Sequence, residues 1–248
     1  MDRIAVQLYT LRSLDEPLPT ILDRVGDAGY DGVEFAYRVR EASPEAVRDA
    51  LDRNGLASAA AHVTIEALES EYDAVVDRYD RLDCHTLVVP WMDPDRFETI
   101  DRIDAVADRL NALVEAFDDD GFTLAYHHHD HEFVAVEGGR STAMDELLGR
   151  TDDRLGFELD LGWAAVGGAD PAALLDRYAD RISHVHVSDA DVDAGEPVAL
   201  GAGDLDVPRL IDAGRRADVD WWVYEHDDPD DPIASMTDGI EVLRRHVG

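Results

Sequence analysis

Lysine is absent from the 248 residues, and all 22 basic residues are arginine. Without that amine the chain cannot run Schiff-base aldol or pyridoxal chemistry, which needs a lysine to capture the carbonyl. Cysteine is almost absent too. The single thiol, Cys84, cannot close a disulfide within the chain, and its Asp83-Cys84-His85 setting lacks the second thiol of a CxxC motif. A cytoplasmic location is the default expectation. No apolar run approaches the ~20 residues of a membrane-spanning helix, and the stretch Met1-Asp-Arg-Ile-Ala-Val-Gln-Leu8 lacks the apolar core of a signal peptide. No membrane partner is expected. Positive charge is scarce: 56 acidic residues against 22 basic ones give a formal charge of -34. Such a field repels a phosphate backbone at moderate salt, so no nucleic-acid partner is expected. An aspartate-rich surface holds water and is screened at high ionic strength, which reads as a halophilic surface. The alternative is an acidic face that recruits a cationic partner.

What is present is a strict alternation of short β-type runs and helical stripes. Strands are expected at 4–8, 32–35, 57–61, 86–89, 123–127, 156–159, 182–187 and 221–225, each followed by apolar residues at helical spacing. Ser43-Pro44 reads as a helix start and Gly29 and Gly55 as helix stops. One helical face is expected through Leu68, Tyr72, Val75, Val76 and Tyr79, and a Gly- and Asp-rich loop at 189–206. Eight such units in a chain of 248 residues match one α/β domain over 1–248, a single closed (β/α)8 barrel. A dinucleotide-binding sheet would carry glycines after its first strand, and that turn reads Tyr9-Thr-Leu-Arg-Ser13.

The active site of such a barrel lies at the carboxyl ends of its strands. The fifth run opens there into Tyr126-His-His-His-Asp-His-Glu-Phe133, and the sixth, seventh and eighth also end in Asp, His or Glu. Strand alternation sorts these groups by direction. Glu158 and Asp160 face the barrel axis in the sixth run, His184 and His186 in the seventh and Glu225 in the eighth, with Glu132 just past the fifth. Glu132, Asp160, His186 and Glu225 are therefore expected to converge. Three carboxylates in one pocket repel one another unless a cation neutralises them. With no lysine in the chain, one divalent metal is the expected counter-charge. An oxygen-rich set with one imidazole favours Mn2+, with Mg2+ or Co2+ as alternatives, over structural zinc. The bland alternative is a polar barrel core in which acids and histidines bond to one another.

With these residues in place, the chain resembles the xylose isomerase-like barrels known as sugar phosphate isomerases/epimerases. That group includes ketose 3-epimerases, inositol-pathway enzymes and, distantly, endonuclease IV. The resemblance covers nearly the whole chain. It is carried by Val6-Gln-Leu-Tyr-Thr-Leu-Arg12, Gly29-Tyr-Asp-Gly-Val-Glu-Phe35, Tyr126 to Phe133, Gly156-Phe-Glu-Leu-Asp-Leu-Gly-Trp163, His184-Val-His-Val-Ser-Asp189, Leu200-Gly-Ala-Gly-Asp204 and Glu225-His-Asp-Asp-Pro229. It implies a metal quartet on the same four residues, Glu132, Asp160, His186 and Glu225. The multinuclear zinc site of endonuclease IV-like members needs further ligands, and here Pro90-Trp91, Trp163 and Asp204-Leu-Asp206 stand in their places. Trp163 also stands where many epimerases carry a substrate-binding histidine.

The implied activity is a metal-dependent isomerase or epimerase acting on a sugar or polyol ketone through an enediolate, with Glu132 and Glu225 exchanging protons on opposite sides of the substrate. The alternatives are an inosose dehydratase-like lyase acting on a cyclic polyol ketone and a sugar-binding barrel without turnover. A small-molecule substrate is expected, and a homo-oligomer is compatible with the reading. His62, Trp91 and Trp163 are expected to form a stacking wall, and His127, His129 and Glu34 to reach the substrate. Glu158 and His184 lie one layer below and are expected to bond to each other and orient His186. His128 and His131 have outward or loop parity and are expected in solvent.

Overall fold

The structure, a computed structural model, describes residues 2–36, 38–137 and 141–247. Eight parallel strands close into a barrel: β1 (Arg3–Gln7), β2 (Gly32–Phe35), β3 (Ala57–His62), β4 (Thr86–Val89), β5 (Thr123–His127), β6 (Gly156–Asp160), β7 (His184–Val187) and β10 (Trp221–Tyr224). The ring runs β1 to β7 in sequence order, and β10 closes it between β7 and β1. The fold is a (β/α)8 barrel. The strands at 32–35, 86–89 and 123–127 have the expected bounds, and the other five differ by a residue or two at an end.

Helices α1 (Leu18–Ala28), α2 (Pro44–Asn54), α5 (Ile100–Asp118), α6 (Ala143–Leu148), α8 (Pro171–Arg177), α9 (Val207–Arg216) and α10 (Pro232–Val247) flank the strands. Capping follows the sequence: Ser43 Oγ accepts the Ala46 N–H at the start of α2, and Gly55 ends it at φ 66°. Two elements differ from the expectation. The helical face after β3 is two helices, α3 (Ile65–Ser70) and α4 (Tyr72–Arg81), and the loop at 189–206 contains an antiparallel hairpin of β8 (Asp189–Asp191) and β9 (Glu196–Val198). A short α7 (Leu161–Val166) directly follows β6. Among the described residues no helix is long and apolar enough to cross a membrane.

Outward side chains such as Val33, Phe35, Phe157, Leu159, Trp222 and Tyr224 join the large core beneath the helices. The barrel interior is layered. Ala5, Ala59, Trp221 and Val223 form one small apolar cluster and Ala60, Val88 and Ala125 another. Above them, Gln7, Glu34, His127, Glu158, Asp160, His186 and Glu225 are all buried. A register shift in the β2–β3 pairing makes Ala60, not Ala59, the partner of Glu34. That bulge keeps His62, two residues further on, on the inward face.

Candidate active site

His186 is the hub of the polar layer. Its Nδ1 lies 2.6 Å from Glu225 Oε2 and 3.8 Å from Asp160 Oδ2, and its Nε2 lies 2.6 Å from Glu34 Oε2 and 3.2 Å from Glu158 Oε2. Glu34 and Glu158 also flank His62 Nε2, at 3.1 and 2.8 Å, and Glu158 reaches His127 Nδ1 at 3.2 Å. Charge controls the titration here. Burial alone would lower His62, but the Glu34 and Glu158 carboxylates outweigh it and push the imidazolium up to about 10. Burial would raise Glu158, yet His186 and His62 hold it well below the usual carboxylate range. Asp160 goes the other way, raised by burial.

Asp160 is fixed from three sides. Its Oδ1 accepts from Ser188 Oγ at 2.6 Å and from the Trp163 N–H at 2.7 Å, and its own N–H donates to His128 Nε2 at 3.0 Å. Its Oδ2 is buried with no hydrogen-bond partner. The ligand atoms of His127, Asp160, His186 and Glu225 lie within 4.8 Å of one another, and so do those of His62, His127, Glu158 and His186.

Of the four residues expected to converge, Asp160, His186 and Glu225 do so and Glu132 does not. Glu132 lies in a one-turn 3-10 helix past the end of β5, where its carboxylate accepts from the Tyr126 hydroxyl at 2.5 Å and the His129 N–H at 3.0 Å and lies 3.3 Å from His131 Nε2. Burial raises its pKa. His127, the last residue of β5 and level with Glu158, stands in the group instead. The period of two that placed the other ligands holds only while the strand lasts.

Other expectations divide the same way. His62, Trp91, His127, His129 and Trp163 line one cavity of about 500 Å³ at the barrel mouth, together with Tyr9, Arg12, Ala36, Thr64, Pro90, Glu225 and Asp227. Glu34 is not among them, because its oxygens face His186 and His62 below the cavity. Glu158 touches His186 as expected, but His184 pairs with the Ala59 carbonyl at 3.0 Å and Ser183 Oγ at 2.8 Å rather than with Glu158. His128 and His131 are not solvated. His128 is fully buried and bonded at both ring nitrogens, and His131 reaches the Met92 carbonyl at 3.1 Å. Asp227 and Gln7 were not anticipated. Gln7 is level with Glu34, and its Nε2 is buried without a partner; its inward parity was the available signal.

A family model described as xylose isomerase-like TIM barrel matches residues 22–246. The chain belongs to the xylose isomerase-like TIM barrel family. Among curated relatives of this xylose isomerase-like barrel, the rhizopine catabolism protein MocC of Rhizobium meliloti is 29% identical over 194 residues, 71% of this chain and 58% of that one. An inosose dehydratase of Geobacillus kaustophilus is 28% identical over 201 residues, 72% of this chain and 64% of that one. The matches span less than two thirds of the length of these relatives. A solved sugar phosphate isomerase/epimerase from Parabacteroides distasonis superposes with a TM-score of 0.85 at 20% identity, covering 99% of this chain and 98% of that one. Relatives of the barrel thus carry isomerase, epimerase and dehydratase names.

The site of this xylose isomerase-like barrel fits a divalent cation. A buried carboxylate oxygen without a partner, Asp160 Oδ2, is costly unless something positive meets it. Two imidazoles and two carboxylates are a donor set that divalent transition metals accept.

Proposed function

We propose that the chain is a divalent-metal-dependent enzyme that removes the proton beside the ketone of a cyclic polyol and expels a neighbouring hydroxyl as water, as an inosose dehydratase would. The observation that carries this reading is the contrast between two glutamates. Glu225 lines the cavity, with Oε2 held 2.6 Å from His186 Nδ1. Glu132 is fully buried, holds three contacts and is not a cavity residue. Inverting a centre needs a second group on the far face of the substrate, and water loss does not. The inosose dehydratase relative supports the same outcome.

His127, Asp160, His186 and Glu225 would hold the metal. When bound, it supplies Lewis-acid polarisation of the substrate carbonyl, which acidifies the adjacent C–H. Two imidazoles move the preference away from Mg2+, which favours oxygen ligands, and leave Mn2+ first with Co2+ second. Glu225 takes the proton at Oε1, for which no partner is present among the described residues, and gives it to the departing hydroxyl, which leaves as water. Ser188 and the Trp163 N–H hold Asp160 in one orientation, and Trp91, Trp163 and His129 wall off the cavity. The reading includes a cytoplasmic, salt-adapted protein of carbohydrate metabolism, with residues 1–248 acting as one barrel and no nucleic-acid or membrane partner.

A second reading is the isomerase or epimerase, favoured by the likeness to the Parabacteroides distasonis protein. There His129, on the cavity wall, replaces Glu132 as the second proton-handling group. The two readings separate on the product of inosose in D2O with Mn2+-loaded protein. Water loss yields an ultraviolet-absorbing dicarbonyl or its enol, and inversion yields a deuterated ketone without a chromophore. Glu225→Gln should cut turnover by about 10²–10⁴-fold and abolish deuterium exchange at the carbon beside the ketone. Exchange that survives in the variant removes Glu225 from the role of base.

A further inference from the structure

The proton transfer above leaves one built feature of the cavity unused. Asp227 stands two residues beyond Glu225, and Trp163 lies in α7, so their contact bridges the segments that follow β10 and β6. Trp163 Nε1 donates to Asp227 Oδ2 at 2.9 Å. From the other side Arg12, just past β1, donates to the Asp227 backbone carbonyl and to Asp228 Oδ1, the latter at 3.1 Å. The Arg12 guanidinium lies 4.1 Å over the Tyr9 ring, which fixes its own direction. Backbone and side chain of Asp227 are thus each held by a separate donor.

The remaining oxygen, Oδ1, has no hydrogen-bond partner among the described residues, and it is not sealed from solvent. Asp227 lines the mouth cavity beside Glu225, Trp163 and His129. A carboxyl oxygen that is fixed in place and open to a cavity hydrogen-bonds a hydroxyl. The indole N–H of Trp163 is already committed, so its ring face is what remains to pack on C–H groups of a polyol.

We propose that Asp227 recognises a substrate hydroxyl remote from the reacting ketone and so sets specificity among polyol ketones, with Trp163 and Arg12 as positioning residues. This rests on the polyol-ketone reading of the site. The test is calorimetric binding of inosose and its monodeoxy derivatives to Mn2+-loaded protein. Wild type should bind inosose about 2- to 10-fold more tightly than the derivative lacking the recognised hydroxyl, as for an ordinary hydrogen bond. Asp227→Asn should close most of that gap while binding the deficient derivative as wild type does. Trp163→Phe, which keeps the ring and frees the carboxylate, should narrow it. If Asp227→Asn weakens every derivative by one factor, or weakens none, the assignment is overturned. Selective binding without water loss leaves Asp227 in place and overturns the dehydratase reading. Water loss with the hydroxyl preference intact in Asp227→Asn does the reverse. A wild type that binds no inosose overturns both.

Discussion

His128 illustrates what a residue's parity means in a barrel wrapped by helices. A side chain pointing away from the axis points into the packed layer between strand and helix, not into water. His128 lies against the rings of Phe133 and Phe157, at 4.8 and 5.2 Å, and is fully buried. Its Nδ1–H donates to the His129 carbonyl, so its Nε2 is left to accept from the Asp160 N–H. Replacing it by Leu strands that buried N–H. We expect His128→Leu to cost about 1–3 kcal/mol in thermal or denaturant unfolding and to reduce metal occupancy by elemental analysis through Asp160. A variant of wild-type stability and occupancy would deny His128 this part. The types of the converging residues were legible from sequence, since strand alternation put them on the face toward the barrel axis. Which glutamate they kept was not: Glu132 is turned aside by the Tyr126 hydroxyl, a contact that no spacing encodes.

Whole elements carry the site by two devices. The loop after β7 is organised by Asp189, whose carboxylate accepts the N–H groups of Ala190 and Gly201 at 2.9 Å, Gly203 at 3.1 Å and Leu205 at 3.2 Å. Several charge-assisted bonds to one buried group depend on it together. Asp189→Ala should cost about 3 kcal/mol or more and expose residues 190–206 to limited proteolysis; an unchanged digestion pattern would argue against it. Close helix packing is the second device. A Cβ at Gly239 in α10 would sit 2.3 Å from Tyr224 Cε2, and one at Gly214 in α9 2.3 Å from a Trp222 ring carbon. For Gly239→Ala we expect overpacking of roughly 1–3 kcal/mol to exceed the ~1 kcal/mol gained in helix propensity, read as a lower melting temperature. The strands and most helices were legible because period and caps are local. The break between α3 and α4 was not, because Glu71 leaves the helical region at φ -124°, ψ 28° inside an unbroken apolar stripe, with no glycine or proline to mark it.

For the molecule as a whole the governing quantity is charge. An excess of 34 carboxylates repels itself, and salt screens that repulsion more than it weakens exposed arginine pairs, which contribute little individually. The melting temperature should therefore rise from about 0.1 M to about 1 M KCl, where the screening length shrinks from ~10 to ~3 Å; a fall would reject salt adaptation. Acid acts through particular groups. Hydrogen bonds from Arg53, Arg109, Arg154 and Arg209 hold Asp23, Glu69, Asp152 and Asp170 below the ordinary carboxylate range, Asp152 at about 2. Their stabilisation is complete above the unfolded values near pH 4 and is lost as pH falls towards the folded ones. At high salt, where repulsion is screened, melting temperature should drop steadily below about pH 4. By itself the sequence determined the (β/α)8 barrel and the end of it where the titratable groups gather, because both follow from periodicity and element count. Only tertiary structure decided that His127 rather than Glu132 joins Asp160, His186 and Glu225, that His128 and His184 are tied to backbone groups, and that Asp227 faces the cavity. Those outcomes depend on contacts between strands and loops far apart in the chain, and no local pattern contains them.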